Sequence, residues 1–206
     1  MKALSLVTLL FVGLLNLSKM EESPKILTID SVGSEVMVHV GKAGLFRFAG
    51  HTHEVAASRI RGSLDLNREN PARSNVHLEI DTSSLTVTGR GEPAGDVAEV
   101  QRVMHSEDVL DVEKFPTITF VSRGIEIIRA STGSLELVVV GDLTIHGVTR
   151  LQRVRSLVEF GSDGLTAMGR MKINQTDFEI DPIRAAGGTV KVKNELEINF
   201  SIRATS

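Results

Sequence analysis

No cysteine occurs among the 206 residues. That absence excludes disulfides, thiolate metal ligands, a cysteine nucleophile and a lipidated N-terminal cysteine. Tryptophan and tyrosine are missing too, so eight phenylalanines are the whole aromatic content and any interior must be mostly aliphatic. No G-x-S-x-G elbow is present for serine hydrolysis. Gly187-Gly188 lacks the lysine of a phosphate loop and opens no helix. A formal net charge of -3 gives no basic surplus for nucleic acid. The apolar stretch at the N-terminus falls short of the ~20 residues that a membrane-spanning helix needs.

That stretch has a different meaning. Met1-Lys2 supplies a positive start, and Ala3 to Leu17 is apolar except for Ser5, Thr8 and Asn16. The pattern reads as a signal peptide over residues 1–20 and places the mature protein in the periplasm or outside the cell. Asn16-Leu17-Ser18 is a loose cleavage signal, so an uncleaved anchor is the alternative. The remaining length suits one domain, large enough to bury a core without disulfides.

Period-two alternation dominates the rest. Val36, Val38 and Val40 alternate with Met37 and His39; Val76, Leu78 and Ile80 repeat the pattern. From Glu54 to Leu66 a strand is expected with a kink or bulge at Gly62. Asp96, with Glu99 three residues on, predicts a capping box opening a short helix along Val97, Val100 and Met104. Ser106 is expected to cap a second helical turn. Five further strands are expected near 117–128, 135–145, 151–160, 165–174 and 190–203. In the second of these Leu135, Leu137 and Val139 alternate with Glu136, Val138 and Val140, and in the next Val154, Ser156, Val158 and Phe160 continue the alternation. The last carries Val190, Val192, Leu196, Ile198, Phe200 and Ile202 on one face, broken only by Asn194. One apolar and one wet face per strand predicts an all-β, antiparallel, closed barrel of about eight strands with one or two short helices.

The hairpin Gly141-Asp142-Leu143-Thr144-Ile145-His146-Gly147-Val148-Thr149 resembles the signature of the YceI-like family. Other segments match in family order over residues 26–203: Ile29-Asp30 with Ser34-Glu35-Val36, Val76–Ile80 with Asp81-Thr82-Ser83-Ser84-Leu85, and His105–Asp111 with Lys114–Phe120. Lys172-Ile173 and Asp177–Ile180 are similar to its closing segment. The resemblance implies an exported, lipocalin-like barrel that binds polyisoprenoid or other amphiphilic lipid, with no catalytic role and no cofactor. The chain departs from the family between Ala43 and Ala57, where smaller residues stand in place of bulky aromatics, and this bears on ligand preference.

Candidates for the lumen wall are Val36, Val38, Val40, Phe46, Phe48, Leu78 and Ile80. Arg47, His51 and His53 are candidates for a rim that meets a headgroup, since guanidinium suits phosphate geometry. His51 and His53 would project from one face of a strand, as in some zinc sites, with His39 or Glu54 nearest as a third ligand; the favoured reading is a polar rim without metal. His146 is expected to be an exposed turn residue and His105 a tie between helix and barrel. The leading expectation is non-enzymatic binding, transport or sequestration of an isoprenoid or lipid-like ligand, without nucleic acid or a transmembrane span in the mature protein; a homodimer is left open. Two rivals stand beside it. One is an envelope stress or structural barrel with a packed interior, the other a metal-dependent enzyme using His51 and His53.

Overall fold

The computed structural model describes residues 25–43, 53–90, 95–185 and 190–206. Strands β1 (Lys25–Ile29), β2 (Glu35–Ala43), β3 (His53–Ala57), β4 (Ile60–Leu66), β5 (Asn75–Asp81) and β6 (Leu85–Val87) come first, then helix α1 (Val97–His105). They are followed by β7 (Thr117–Ser131), β8 (Ser134–Ile145), β9 (Val148–Phe160), β10 (Gly164–Asn174), the short β11 (Arg184–Ala185) and β12 (Val190–Thr205). The barrel runs β1-β4-β5-β7-β8-β9-β10-β12, and β12 returns to β1 through Thr28↔Thr205 and Ile29↔Ala204. Eight antiparallel strands thus close on themselves, which removes the exposed edges that an open sheet would leave.

The first three staves are each broken once. β2 continues β1 along β12, β3 precedes β4, and β6 continues β5. Local side chains make the breaks. Asp30 Oδ1 accepts from the Val32 and Gly33 amides at 3.0 Å each, an Asx-type turn between β1 and β2. The expected kink at Gly62 lies instead at Ser58–Arg59. Pairing passes evenly through Gly62↔Leu78, where φ is +146° and an added Cβ would sit 2.0 Å from the His77 carbonyl oxygen. Gly62 serves close strand approach, not a bulge.

At the third break, Asp81 caps a 3₁₀ turn (Thr82–Ser84) by accepting from the Ser83 amide at 3.0 Å, and it accepts from Arg59 Nε at 2.9 Å. The Arg59 hydrogen bond, and after it the Ser83 hydroxyl, hold the Asp81 carboxyl below the usual aspartate range. A carboxyl whose pKa is lowered by folding stabilises above its unfolded pKa of about 3.9 and loses that contribution as pH falls through the lower folded value. Asp81→Asn should therefore melt below wild type at neutral pH, with the gap constant down to about pH 5 and closing under it. Melting curves taken across that range check this; a gap that widens in acid would contradict it.

One α-helix lies among the described residues. Asp96 precedes it but makes no side-chain cap, and Glu99 bonds Arg102 at 2.6 and 2.8 Å instead of reaching back, so the expected capping box is not formed. Ser106 ends this helix, with its hydroxyl donating to the Val103 carbonyl at 2.8 Å, and it opens the turn that follows: its hydroxyl oxygen accepts from the Asp108 amide at 3.4 Å and its carbonyl from the Val109 amide at 3.1 Å, without a second helix forming. The helix is fastened to β6. Gln101 accepts from the Val87 amide at 2.8 Å and donates to the Leu85 carbonyl at 2.9 Å, and His105 Nε2 also lies 2.9 Å from that carbonyl. These contacts satisfy the edge of β6 that β7 does not cover.

Burial divides the barrel along its axis. At the end where β1 meets β12, Leu27, Ile29, Leu64, Leu66, Leu165 and Ala204 belong to one buried cluster. Leu27 is 0% exposed and Ala204 1%. Toward the other end, Val38, Leu78, Ile80, Leu196 and Ile198 are only half-buried although they point inward. One half is a floor packed around a small void of about 90 Å³; the other is hollow.

Candidate functional site

The hollow half is a cavity of about 710 Å³, within the range of sites that take small organic ligands. Inward residues of successive strands build its wall. Val36, Val38 and Val40 come from β2, Leu78 and Ile80 from β5, and Leu196, Ile198, Phe200 and Ile202 from β12. The five wall candidates of β2 and β5 therefore stand on one continuous surface. Phe46, Phe48, Arg47 and His51 lie outside the described residues. His53 does line the cavity, at the start of β3.

Glycine keeps the aromatic rings out of the middle of the lumen. Phe200 stands opposite Gly169, where an added Cβ would come within 2.6 Å of its ring, and Gly141 offers the same space to Phe120 at 2.5 Å. Each ring lies back over a glycine of the neighbouring strand. Helix α1 contributes Val100, Val103 and Met104 from the side, and the segment after β10 contributes Phe178, Ile180 and Ile183.

Charge is confined to the open end. Lys42 of β2 and Lys191 of β12 border it beside His53, while Asp96 and Glu99 border it from the helix. Arg102 donates two hydrogen bonds to Glu99, which holds that carboxyl below its usual range and raises the guanidinium. The inward series Val36, Val38, Val40 extends naturally to Lys42, so this rim residue was available from the alternation. Lys191 was not, because the register shifts between Val192 and Leu196. Asn194, the break in the β12 pattern, marks that shift. Its amide donates to Thr176 Oγ1 at 2.9 Å and its carbonyl accepts from the Thr176 amide at 3.1 Å.

A shared metal site for the histidines does not form among the described residues. Alternation puts His53 on the cavity side and Glu54 on the outer side, where it pairs with His39, its nitrogen 3.9 Å from the carboxylate, and with Arg90 at 3.3 Å. Neither proposed third ligand can reach the face that His53 occupies, and no group of three or more His, Asp or Glu converges among the described residues. His146 is also unlike its expectation. It opens a two-residue turn with Gly147, both at positive φ (52° and 74°), and its ring lies 4.5 Å from that of Phe115. It is half-buried under Phe115, not exposed. His105 ties helix to barrel as described above.

The recurrent sequence segments meet in space around this end. Thr82, 1% exposed, donates to the Phe115 carbonyl at 2.8 Å, and Phe115 packs on the His146-Gly147 turn. The model of the YceI-like domain matches residues 27–204. The chain belongs to this family. A Pseudomonas savastanoi pv. phaseolicola relative, a UPF0312 protein, is 35% identical over 89 residues, 43% of this chain; there the chain spans only 40% of the relative's length. A Vibrio campbellii UPF0312 protein is 30% identical over 142 residues, 66% of this YceI-like chain and 68% of its own. Among solved structures, Burkholderia cenocepacia BcnA superposes with a TM-score of 0.65 at 21% identity, covering 86% of this chain and 99% of that one. A polyisoprenoid binding domain from Saccharophagus degradans, implicated in plant cell wall breakdown, superposes with a TM-score of 0.62 at 10% identity, covering 87% and 98%. At these identities the structural likenesses establish the YceI-like barrel fold.

Proposed function

We propose that this YceI-like chain is an exported, non-enzymatic carrier that holds an isoprenoid or similar lipid in its lumen. The observation that carries the reading is the cavity of about 710 Å³ walled by aliphatic side chains and charged only at one end. Each methylene moved from water into such a wall contributes about 0.8 kcal/mol, so a chain of a dozen carbons gains affinity without directional contacts. The polyisoprenoid-binding description of the Saccharophagus degradans domain supports the same ligand class. In this reading Val36, Val38, Val40, Leu78 and Ile80 contact the chain, and His53, with Lys42 and Lys191, faces the headgroup. The packed-interior rival accounts for the floor at Leu27 and Ala204 but gives no use to the hollow half.

Displacement of an apolar fluorescent probe by farnesol tests it. Saturable, one-to-one displacement is the expected result; failure of both probe and farnesol to bind at micromolar concentration contradicts it. Lys2 and the apolar Ala3–Leu17 run support the export part of this reading. N-terminal sequencing of envelope material should begin between Leu17 and Ser23, whereas a start at Met1 would favour a retained anchor. No helix among the described residues is long and apolar enough to cross a membrane.

A further inference from the structure

The void of about 90 Å³ in the floor lies directly beneath the main cavity, and one level of the barrel separates the two. Val76, Val139, Ser156, Ala167 and Ile202 border both. Their order along the strands makes them a collar. On β10, Met171 lines the main cavity alone, Ala167 lines both and Leu165 only the void. The same order runs Phe200, Ile202, Ala204 on β12 and Val154, Ser156, Val158 on β9. Apart from the hydroxyls of Ser74 and Ser156 the void is lined by aliphatic side chains, and Ser74 accepts from the Asn67 amide at 3.0 Å.

The collar has a notch. Its two smallest members, Ser156 and Ala167, stand on neighbouring strands, and Ala167 pairs with Val158, the next inward residue after Ser156. Val76, Val139 and Ala167 are only half-buried, whereas Leu137, Leu165 and Ala204 on the void side are buried. Space lined by aliphatic side chains forfeits packing contacts, and an apolar guest restores them. The guest available is the far end of a chain already held in the lumen. Only a long chain arrives there. From Lys42 at the rim the inward series of β2 descends to Val36, level with Phe200, and one inward step further is Ile202. That path is about 26 Å of strand at roughly 3.3 Å per residue, or on the order of 20 Å along an axis from which the strands tilt by about 40°.

We infer that the void seats the terminus of the ligand's chain and that Ala167 is a specificity-determining residue, which sets the longest chain the lumen accepts. The inference rests on the carrier reading and gives its ligand class a length. A chain too short to reach the collar leaves the void unused. One longer than the void must lift its headgroup off the rim. Between these limits each methylene adds about fourfold to affinity, because each leaves water for an aliphatic wall.

A series of straight-chain alkyl phosphates from dodecyl to docosyl, each used below its micelle-forming concentration, tests it. The phosphate stays at the wet rim, since burying its charge is prohibitive, so only the inner terminus changes along the series. Affinities are measured for wild type, Ala167→Leu and Leu165→Ala. In wild type they should climb with chain length to a break and then level off or fall. Ala167→Leu fills the notch and should move the break to a shorter chain, weakening the wild type's best ligand about tenfold. Leu165→Ala enlarges the void from below and should move the break to a longer chain. Dodecyl phosphate, too short to reach the collar, should bind all three proteins within about twofold and so reports that each is folded. The two variants act in opposite directions, so a fold lost in one leaves the other to decide. If dodecyl phosphate binds but the break stays at the same chain in the folded variants, the length limit at Ala167 is overturned and the carrier reading survives. If no alkyl phosphate binds wild type, the carrier reading fails and this inference with it.

Discussion

Phe178→Ala is expected to lower stability by about 3–5 kcal/mol, near the upper end for a core truncation. Phe178 is 0% exposed and closes the wall beside β10. Its turn, Gln175–Phe178, is held down by Gln175 Nε2 donating to the Lys193 carbonyl at 2.9 Å and by the paired contacts of Asn194 with Thr176. The backbone is thus fixed from outside and cannot collapse into the space the ring leaves. For a domain of this size the loss corresponds to a fall in melting temperature of roughly 6–20 °C. Phe200→Ala should cost clearly less, because that ring is half-buried on the lumen face over Gly169. Thermal melts of the two variants decide it; equal shifts would contradict the difference in packing between these two wall rings.

Val38→Trp should abolish lipid binding and leave the melting temperature near that of wild type. Val38 stands mid-strand in β2, paired with Ile198 and Val55, and faces the cavity. An indole there takes volume from the ligand without displacing packed neighbours. The contrasting substitution is Leu27→Trp in the floor, where overfilling should destabilise by about 1–3 kcal/mol or more. The natural chain has no tryptophan, so emission from the introduced ring reports its surroundings: blue-shifted from Val38→Trp in an apolar lumen. A melting temperature lowered as much by Val38→Trp as by Leu27→Trp would argue for a packed barrel throughout.

Period two made the barrel legible, because an inward series such as Val36, Val38, Val40 needs only the pleat to define a face. The same rule put Leu78 and Ile80 on the wall and would have extended it to Lys42. Periodicity fails where the chain changes register. The shift between Val192 and Leu196 brought Lys191 to the rim, and the true break of the second stave at Ser58–Arg59 was hidden behind a glycine that serves close approach. Capping signals misled for a local reason: Glu99 pairs with Arg102 three residues along the same helix and leaves Asp96 without a partner for a box. The hollow itself has no signature in sequence, since an inward valine reads alike in a packed floor and an open lumen. The family segments mark scaffold as well as site, since Val36, Leu78, Ile80 and Leu143 of the same segments line the cavity. Thr82, Phe115, His146 and Gly147 knit one end of the barrel together, while most of the cavity wall comes from ordinary aliphatic alternation.

The central claim is that this barrel carries a lipid. Protein purified from the cell envelope without added ligand, extracted with organic solvent and examined by mass spectrometry, tests it most directly. The account predicts a stoichiometric amphiphile with an aliphatic or isoprenoid chain from wild type, and its loss from Val38→Trp. Wild-type protein that yields no lipid, and that binds neither farnesol nor an alkyl phosphate when they are supplied, would contradict it.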